Sequence, residues 1–158
     1  MSLKSTLSVA LVIAALAAGS SLAAAADTSF AAVRVTVASE KSFEQVTGAL
    51  KAAVSQNGMM VMAEVDQGQM LSMTGLSLKA TLFLVGNPTV GKQLFEQDHA
   101  VGLYVPLRVF VYDGSDGKTY VAYDRPSALL GQFKNEQIGM AASMLDEKLQ
   151  GLATMAAR

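Results

Sequence analysis

The side chains able to do chemistry in this chain are few, and most lie between Gly86 and Tyr123. His99 is the only histidine, the one residue of a type that exchanges protons near neutral pH, and it follows Asp98. Arg108 is one guanidinium on a predicted strand face otherwise rich in aromatics, a composition typical of interface anchors. Tyr112 adds an aromatic face carrying a hydroxyl, and Asn87 an amide at a strand-to-helix junction. His99, Arg108, Tyr112 and Asn87 are therefore the candidate ligand-binding residues. Catalysis asks for more. A serine hydrolase needs a Gly-x-Ser-x-Gly elbow, which the chain lacks. With one histidine and no cysteine there are too few ligands for a structural zinc site. No catalytic residue is assigned, and the reading is a non-enzymatic module; an enzyme using His99 as general base, with Asp98 or Arg108 nearby, is the weaker alternative.

Methionine supplies a second possible chemistry. Of nine, Met59, Met60, Met62, Met70 and Met73 fall in one window. Thioether sulfur is a soft donor, so His99 with Met60 and Met62 forms a candidate Cu(I) site, and no other cofactor is expected. The plainer use of methionine is to fill irregular apolar space, the role expected of Met140, Met144 and Met155 in helix packing.

Two segments imitate known motifs. Gly86-Asn87-Pro88-Thr89-Val90-Gly91-Lys92-Gln93 follows the phosphate-binding loop until its last position, where Gln93 replaces the hydroxyl that would hold Mg²⁺. Pro88 also deletes an N–H that would cradle phosphate, so the segment reads as a turn with Asn87 capping a helix. Ser115-Asp116-Gly117-Lys118 has Ser-x-x-Lys spacing, but a solvated hairpin tip cannot hold the lysine desolvated.

The elements that must position these residues follow from hydrophobic spacing. Val33 to Val37 alternates with period two and predicts a strand with Arg34 and Thr36 facing away from the core. Ser42-Phe43-Glu44-Gln45 predicts a capping box, and Phe43, Val46, Leu50 and Val54 follow at helical spacing to a stop at Asn57-Gly58. Met59 to Val65 predicts a second strand with Met59, Val61, Ala63 and Val65 on one face. Residues 66–77 read as an excursion with one helical turn around Met70 to Met73. Lys79 to Val85 predicts a third strand, apolar enough to be covered on both sides. A short helix behind Pro88 comes next, followed by a hairpin of Gly102 to Asp113 and Lys118 to Asp124. On its first strand Tyr104, Pro106, Arg108, Phe110 and Tyr112 would share a face, either open as an interface or covered by the last helix with Arg108 paired to Asp124 or Glu64. That last helix, capped by Asn135, carries the stripe Ile138, Ala142, Leu145, Leu149 and Leu152.

The order β-α-β-β-α-β-β-α implies an α+β fold: a two-layer α/β sandwich with a single mixed or antiparallel sheet of about five strands and helices packed on it. The 158 residues fit one domain. Lys4 ahead of the apolar run Leu7 to Ala18, with Ala24-Ala25-Ala26 behind it, reads as a signal peptide over residues 1–26, leaving 27–158 as a single α/β domain in the periplasm or outside the cell. Nothing after Asp27 is long and apolar enough to span a bilayer, so no membrane contact is expected once the signal is cleaved. A net charge of −1 without a basic cluster argues against nucleic acid.

The chain resembles the family known as domain of unknown function 302. The likeness rests on Ser42-Phe43, Gly58 and Glu64-Val65-Asp66, then on Gly86-Asn87-Pro88, Gly91, Leu94, Asp98-His99, Gly102, Leu103, Pro106-Leu107-Arg108-Val109, Val111-Tyr112 and Asp124-Arg125-Pro126, and covers about residues 33–150. It implies a small α/β domain, exported and dimeric in some members, with no established activity. The combined expectation is an exported module that binds a small molecule or a protein partner and self-associates as a homodimer.

Overall fold

The structure, a computed structural model, describes residues 33–158. The expected signal segment lies outside the described residues. Five strands, β1 (Arg34–Ser39), β2 (Met60–Asp66), β3 (Ala80–Gly86), β4 (Leu107–Asp113) and β5 (Thr119–Asp124), form one sheet in the order β1-β5-β4-β3-β2. Every neighbouring pair is antiparallel, which settles the sheet's character. The principal helices are α1 (Phe43–Gln56), α2 (Gln67–Ser72), α3 (Pro88–Phe95), α4 (Pro126–Leu130) and α5 (Glu136–Ala157).

Local chemistry sets the boundaries. The Ser42 hydroxyl accepts from the Gln45 N–H at 3.3 Å while the Gln45 side chain accepts from the Ser42 N–H at 3.0 Å, closing the capping box at the head of α1. Gly58, at φ +67°, ends that helix in the left-handed region where glycine is unstrained. Asn135 caps α5 by accepting from the Ile138 N–H at 3.0 Å.

One core fills the space between the sheet and the helices. Val46, Leu50 and Val54 of α1 and Ile138, Ala142, Leu149 and Leu152 of α5 meet Phe83, Val85, Val109, Val111 and Val121 of the sheet, all buried. Each large side chain so buried contributes roughly 1.5–3 kcal/mol. The alternating partners, Leu82, Leu84, Phe110 and Tyr112, lie on the opposite side and stay partly exposed. The two long helices, α1 and α5, therefore cover a single face of the sheet.

That asymmetry corrects several expectations. β3 is not covered on both sides, since Leu82 and Leu84 keep solvent contact. In β2 the register slips between Val61 and Ala63, so Val61 faces Val85 while Ala63 faces Leu84. Such a bulge reverses the alternation beyond it. Ala63 and Val65 consequently join the open face, whereas Glu64 opposes Phe83 and pairs with Lys51 of α1 at 3.2 Å. The strand expected from Gly102 begins only at Leu107, because His99–Leu103 winds into a 3₁₀ turn headed by the Asp98 side chain, which accepts from the Ala100 N–H at 2.8 Å. The turn foreseen around Met70 is α2, begun earlier by the Asp66 side chain accepting from the Gln69 N–H at 2.8 Å. Met140 and Met144 are not packing residues of α5; they project into solvent at 56% and 67% exposure.

Candidate functional site

On the open face the register of β1, β5, β4 and β3 sets side chains in rows. Phe110 lies opposite Leu82 and Ala122, and Tyr112 opposite Ala80 and Tyr120. The Phe110 and Tyr112 rings stack with centroids 5.1 Å apart and planes 19° apart, and Tyr112 stacks on Tyr120 at 5.3 Å and 20°. A hollow of about 400 Å³ opens over this surface, walled by Arg34, Leu82, Arg108, Phe110, Tyr112 and Asp124, with Gln67 of α2, Leu129 of α4 and Tyr104 at its margins. Tyr104 is held by an edge contact to Phe133, with centroids 5.9 Å apart.

The charges in the hollow are unequally engaged. Arg34 grips both oxygens of Asp124, Nε to Oδ1 at 2.9 Å and Nη2 to Oδ2 at 3.4 Å, and this hydrogen bonding raises the Arg34 pKa above its ordinary value. Burial raises the pKa of Tyr123, whose hydroxyl donates to the Gln150 Oε1 at 3.1 Å. Arg108 is exposed and, among the described residues, makes no ion pair. Both partners considered for it are taken, Asp124 by Arg34 and Glu64 by Lys51. The last helix packs on the other face, so it does not cover Arg108. No histidine, serine or cysteine is among the residues that line the hollow; its ionisable side chains are Arg34, Arg108, Asp124 and tyrosines.

The four candidate residues divide among different surfaces. Arg108 and Tyr112 share the hollow. Asn87 caps α3, accepting from the N–H groups of Thr89 at 2.8 Å and Val90 at 3.3 Å, while its amide donates to the Gly58 carbonyl at 2.7 Å. His99 opens the 3₁₀ turn as an exposed residue and lines neither the hollow nor the groove described below. Of the two candidate soft ligands, Met62 belongs to that groove and Met60, 55% exposed, does not. The motif-like segments are also occupied: Lys92 pairs with Glu96 at 3.4 Å, and Lys118 with Glu40 at 2.6 Å. Arg34 and Gln67 carry no local sequence signal of a site; only the sheet register and the placement of α2 bring them to the hollow that Arg108 lines.

A family model described as domain of unknown function DUF302 matches residues 35–156. The chain belongs to the DUF302 family. An uncharacterized conserved DUF302 protein from Bacillus stearothermophilus, solved by crystallography, superposes on this DUF302 domain with a TM-score of 0.74 at 20% identity, over 80% of this chain and 98% of that one. At that identity the likeness concerns the fold. Two curated relatives carry the name fluoride-specific ion channel: FluC 1 of Brucella suis biovar 1 and FluC 2 of Brucella melitensis biotype 1, each 31% identical over 96 residues. Those residues are 60% of this chain but only 38% and 36% of the relatives, so the DUF302 chain spans little more than a third of their length.

The DUF302 domain has a second depression on its helix-bearing side. A groove of about 250 Å³ runs between the β2 bulge, α3 and the segment entering β4, bordered by Met59, Met62, Val90, Leu94, Phe95 and Pro106, with Val85, Leu107 and Leu145 at its floor. Its one polar side chain is the capping Asn87.

Proposed function

We propose that this DUF302 domain is an exported, non-enzymatic binding module whose open sheet face takes a small anion with a flat, apolar body. The observation that carries the reading is Arg108, an exposed guanidinium without an ionic partner among the described residues, beside the stacked Phe110 and Tyr112 rings that line a hollow of about 400 Å³. A guanidinium fork binds a carboxylate through two parallel hydrogen bonds, and stacked rings receive a planar body. Export is supported by the charged start, apolar run and small-residue site of the N-terminal sequence, and its test is the mass of the protein recovered from the periplasm. Fluoride conduction is named for proteins of which this chain spans little more than a third, and no helix among the described residues is long and apolar enough to cross a membrane. The binding reading rests on the hollow alone.

The test uses benzoate and phenyl phosphate as probes, with benzyl alcohol as the uncharged control, followed by backbone amide shifts. Benzoate is expected to shift residues 108–112, benzyl alcohol to do so far less. Arg108→Gln is expected to weaken benzoate at least about tenfold, because a hydrogen bond to a charged group is worth about 1.5–3 kcal/mol. Equal response to the acid and the alcohol, or full affinity in the variant, overturns the reading. Leu82, Leu84 and Phe110 on the same face make a second copy of the chain the rival occupant; a dimer dissociated by Phe110→Asp but indifferent to benzoate would favour it.

A further inference from the structure

The groove on the helix-bearing side shares Leu107 with the hollow but differs from it in charge and polarity. Val85, Leu107 and Leu145 form a buried floor, at 0%, 4% and 7% exposure. Met62 and Phe95, on opposite walls, are left 45% and 40% exposed, apolar groups in water across an apolar cleft. No charged side chain lines it. The amide of Asn87 is largely committed to the fold: its oxygen accepts from Thr89 and Val90, and one of its two N–H groups donates to the Gly58 carbonyl, leaving a single neutral N–H. A charged or strongly polar guest would give up its water for at most that one side-chain partner, at a heavy cost.

Two glycines shape the space. At Gly86 a Cβ would meet Met62 Cε at 3.1 Å, so the missing side chain lets Met62 lie across the strand. At Gly91, on the wall formed by α3, a Cβ would meet nothing within 4 Å. Helix interiors disfavour glycine, and a side chain added here would meet open space at the groove wall. At about 250 Å³ the cleft lies between an engineered cavity of about 150 Å³ that takes benzene and the ~300 Å³ lower end of drug-sized pockets.

We infer that this groove is a second binding site, specific for a small uncharged aromatic molecule of up to three rings, with Met62 and Phe95 among its contacts. A peptide strand is a poor guest, because the groove side chains leave a single N–H for its backbone amides, and the adjacent β2 edge is broken by the bulge at Met62. The site is independent of Arg108 and of the anion assigned to the open face.

The experiment titrates the protein purified from the periplasm with N-phenyl-1-naphthylamine, a neutral probe whose fluorescence rises in apolar surroundings, and with its sulfonated analogue 8-anilinonaphthalene-1-sulfonate. The neutral probe is expected to bind at least tenfold more tightly. Gly91→Phe, which fills the groove from α3 without meeting another atom at Cβ, is expected to lower its affinity tenfold or more, with a thermal midpoint no lower than that of the parent. Gly91→Ala should retain binding, Met62→Glu should weaken it by placing a charge at the lip, and Arg108→Gln should leave it unchanged. No brightening, equal affinity for the sulfonate, undiminished binding by Gly91→Phe, or a loss in Arg108→Gln equal to that in Gly91→Phe would each overturn the assignment. So would an oligomer that Gly91→Phe dissociates and the probe does not, since the guest would then be a second chain.

Discussion

The two faces of the sheet are built from the same five strands and differ in nearly every property. Toward the helices stand Phe83, Val85, Val109, Val111 and Val121, each at 1% exposure or less. Toward solvent stand Leu82, Leu84, Arg108, Phe110 and Tyr112, partly or wholly exposed, with rings stacked on each other rather than locked into a core. An antiparallel sheet tolerates one wet face, so the fold needs only the first set. The second set is free to be chosen for recognition. On the binding proposed above, stability and recognition are carried by alternate residues of the same strands, and substitutions one position apart should separate them.

The largest effect tests that separation directly. Phe83→Ala, at the centre of the covered face, is expected to cost about 3–5 kcal/mol in a urea unfolding curve, the range for emptying a buried aromatic site. Phe110→Ala, in the next strand on the other face, should cost far less and instead disturb the binding of benzoate. Comparable losses from the two would mean that the open face is covered by something the described residues do not include. Next in size is Asn87→Ala, which removes the cap of α3 and the tie to the Gly58 carbonyl. A cap deletion costs about 0.5–2 kcal/mol, and the value here should lie in the upper half of that range because both ends of the amide are engaged. It sharpens the comparison by showing that a residue read as a ligand group serves the covered side.

Much of the covered face was legible in the sequence. The stripe of α5, the capping box before α1 and the period of β1 each use local spacing, and the structure bears each of them out. The open face was legible only in fragments. Arg108, Phe110 and Tyr112 announce a shared face by alternation, yet the strand does not reach Tyr104 and Pro106, because the Asp98-capped turn replaces its start, and Tyr104 meets the same hollow from outside the strand. The phase reversal in β2 has no marker in the run Val61-Met62-Ala63, since a bulge is set by the register against β3. Whether Asp124 would take Arg34 or Arg108 depends on which strand lies beyond β5, a tertiary choice that no local pattern encodes.

The Arg34–Asp124 pair shows how little an exposed contact on the open face should weigh. Its members keep 54% and 20% of their side-chain surface in water, and such pairs contribute about 0–1 kcal/mol. A double-mutant cycle on Arg34→Ala and Asp124→Ala should return a coupling in that range. The pair would still matter to the hollow, because Asp124→Ala frees a second guanidinium and should tighten benzoate, while Arg34→Ala should weaken it by leaving the carboxylate unopposed.

The smallest effect lies at the end of the ring stack. The Tyr120 hydroxyl donates to the Asp116 carboxylate at 2.5 Å, and the Lys118 N–H donates to the same carboxylate at 3.2 Å. The bond from Tyr120 lowers the Asp116 pKa and raises that of Tyr120. A lowered carboxyl pKa means that the bond's contribution is present above the ordinary aspartate value, ~3.9, and lost as pH falls through the lower folded value. A raised phenol pKa means that it is present below the ordinary tyrosine value, ~10, and lost as pH rises through the higher folded one. Amide shifts of Gly117 and Lys118 should therefore stay flat between those limits and move beyond both. Tyr120→Phe should bring the acid limb back toward the ordinary aspartate range and abolish the alkaline limb, while keeping the ring against Tyr112. If benzoate affinity survives that change, the ring stack recognises the ligand without the hairpin bond; if it falls with the bond, the tip of the hairpin orients the recognition face.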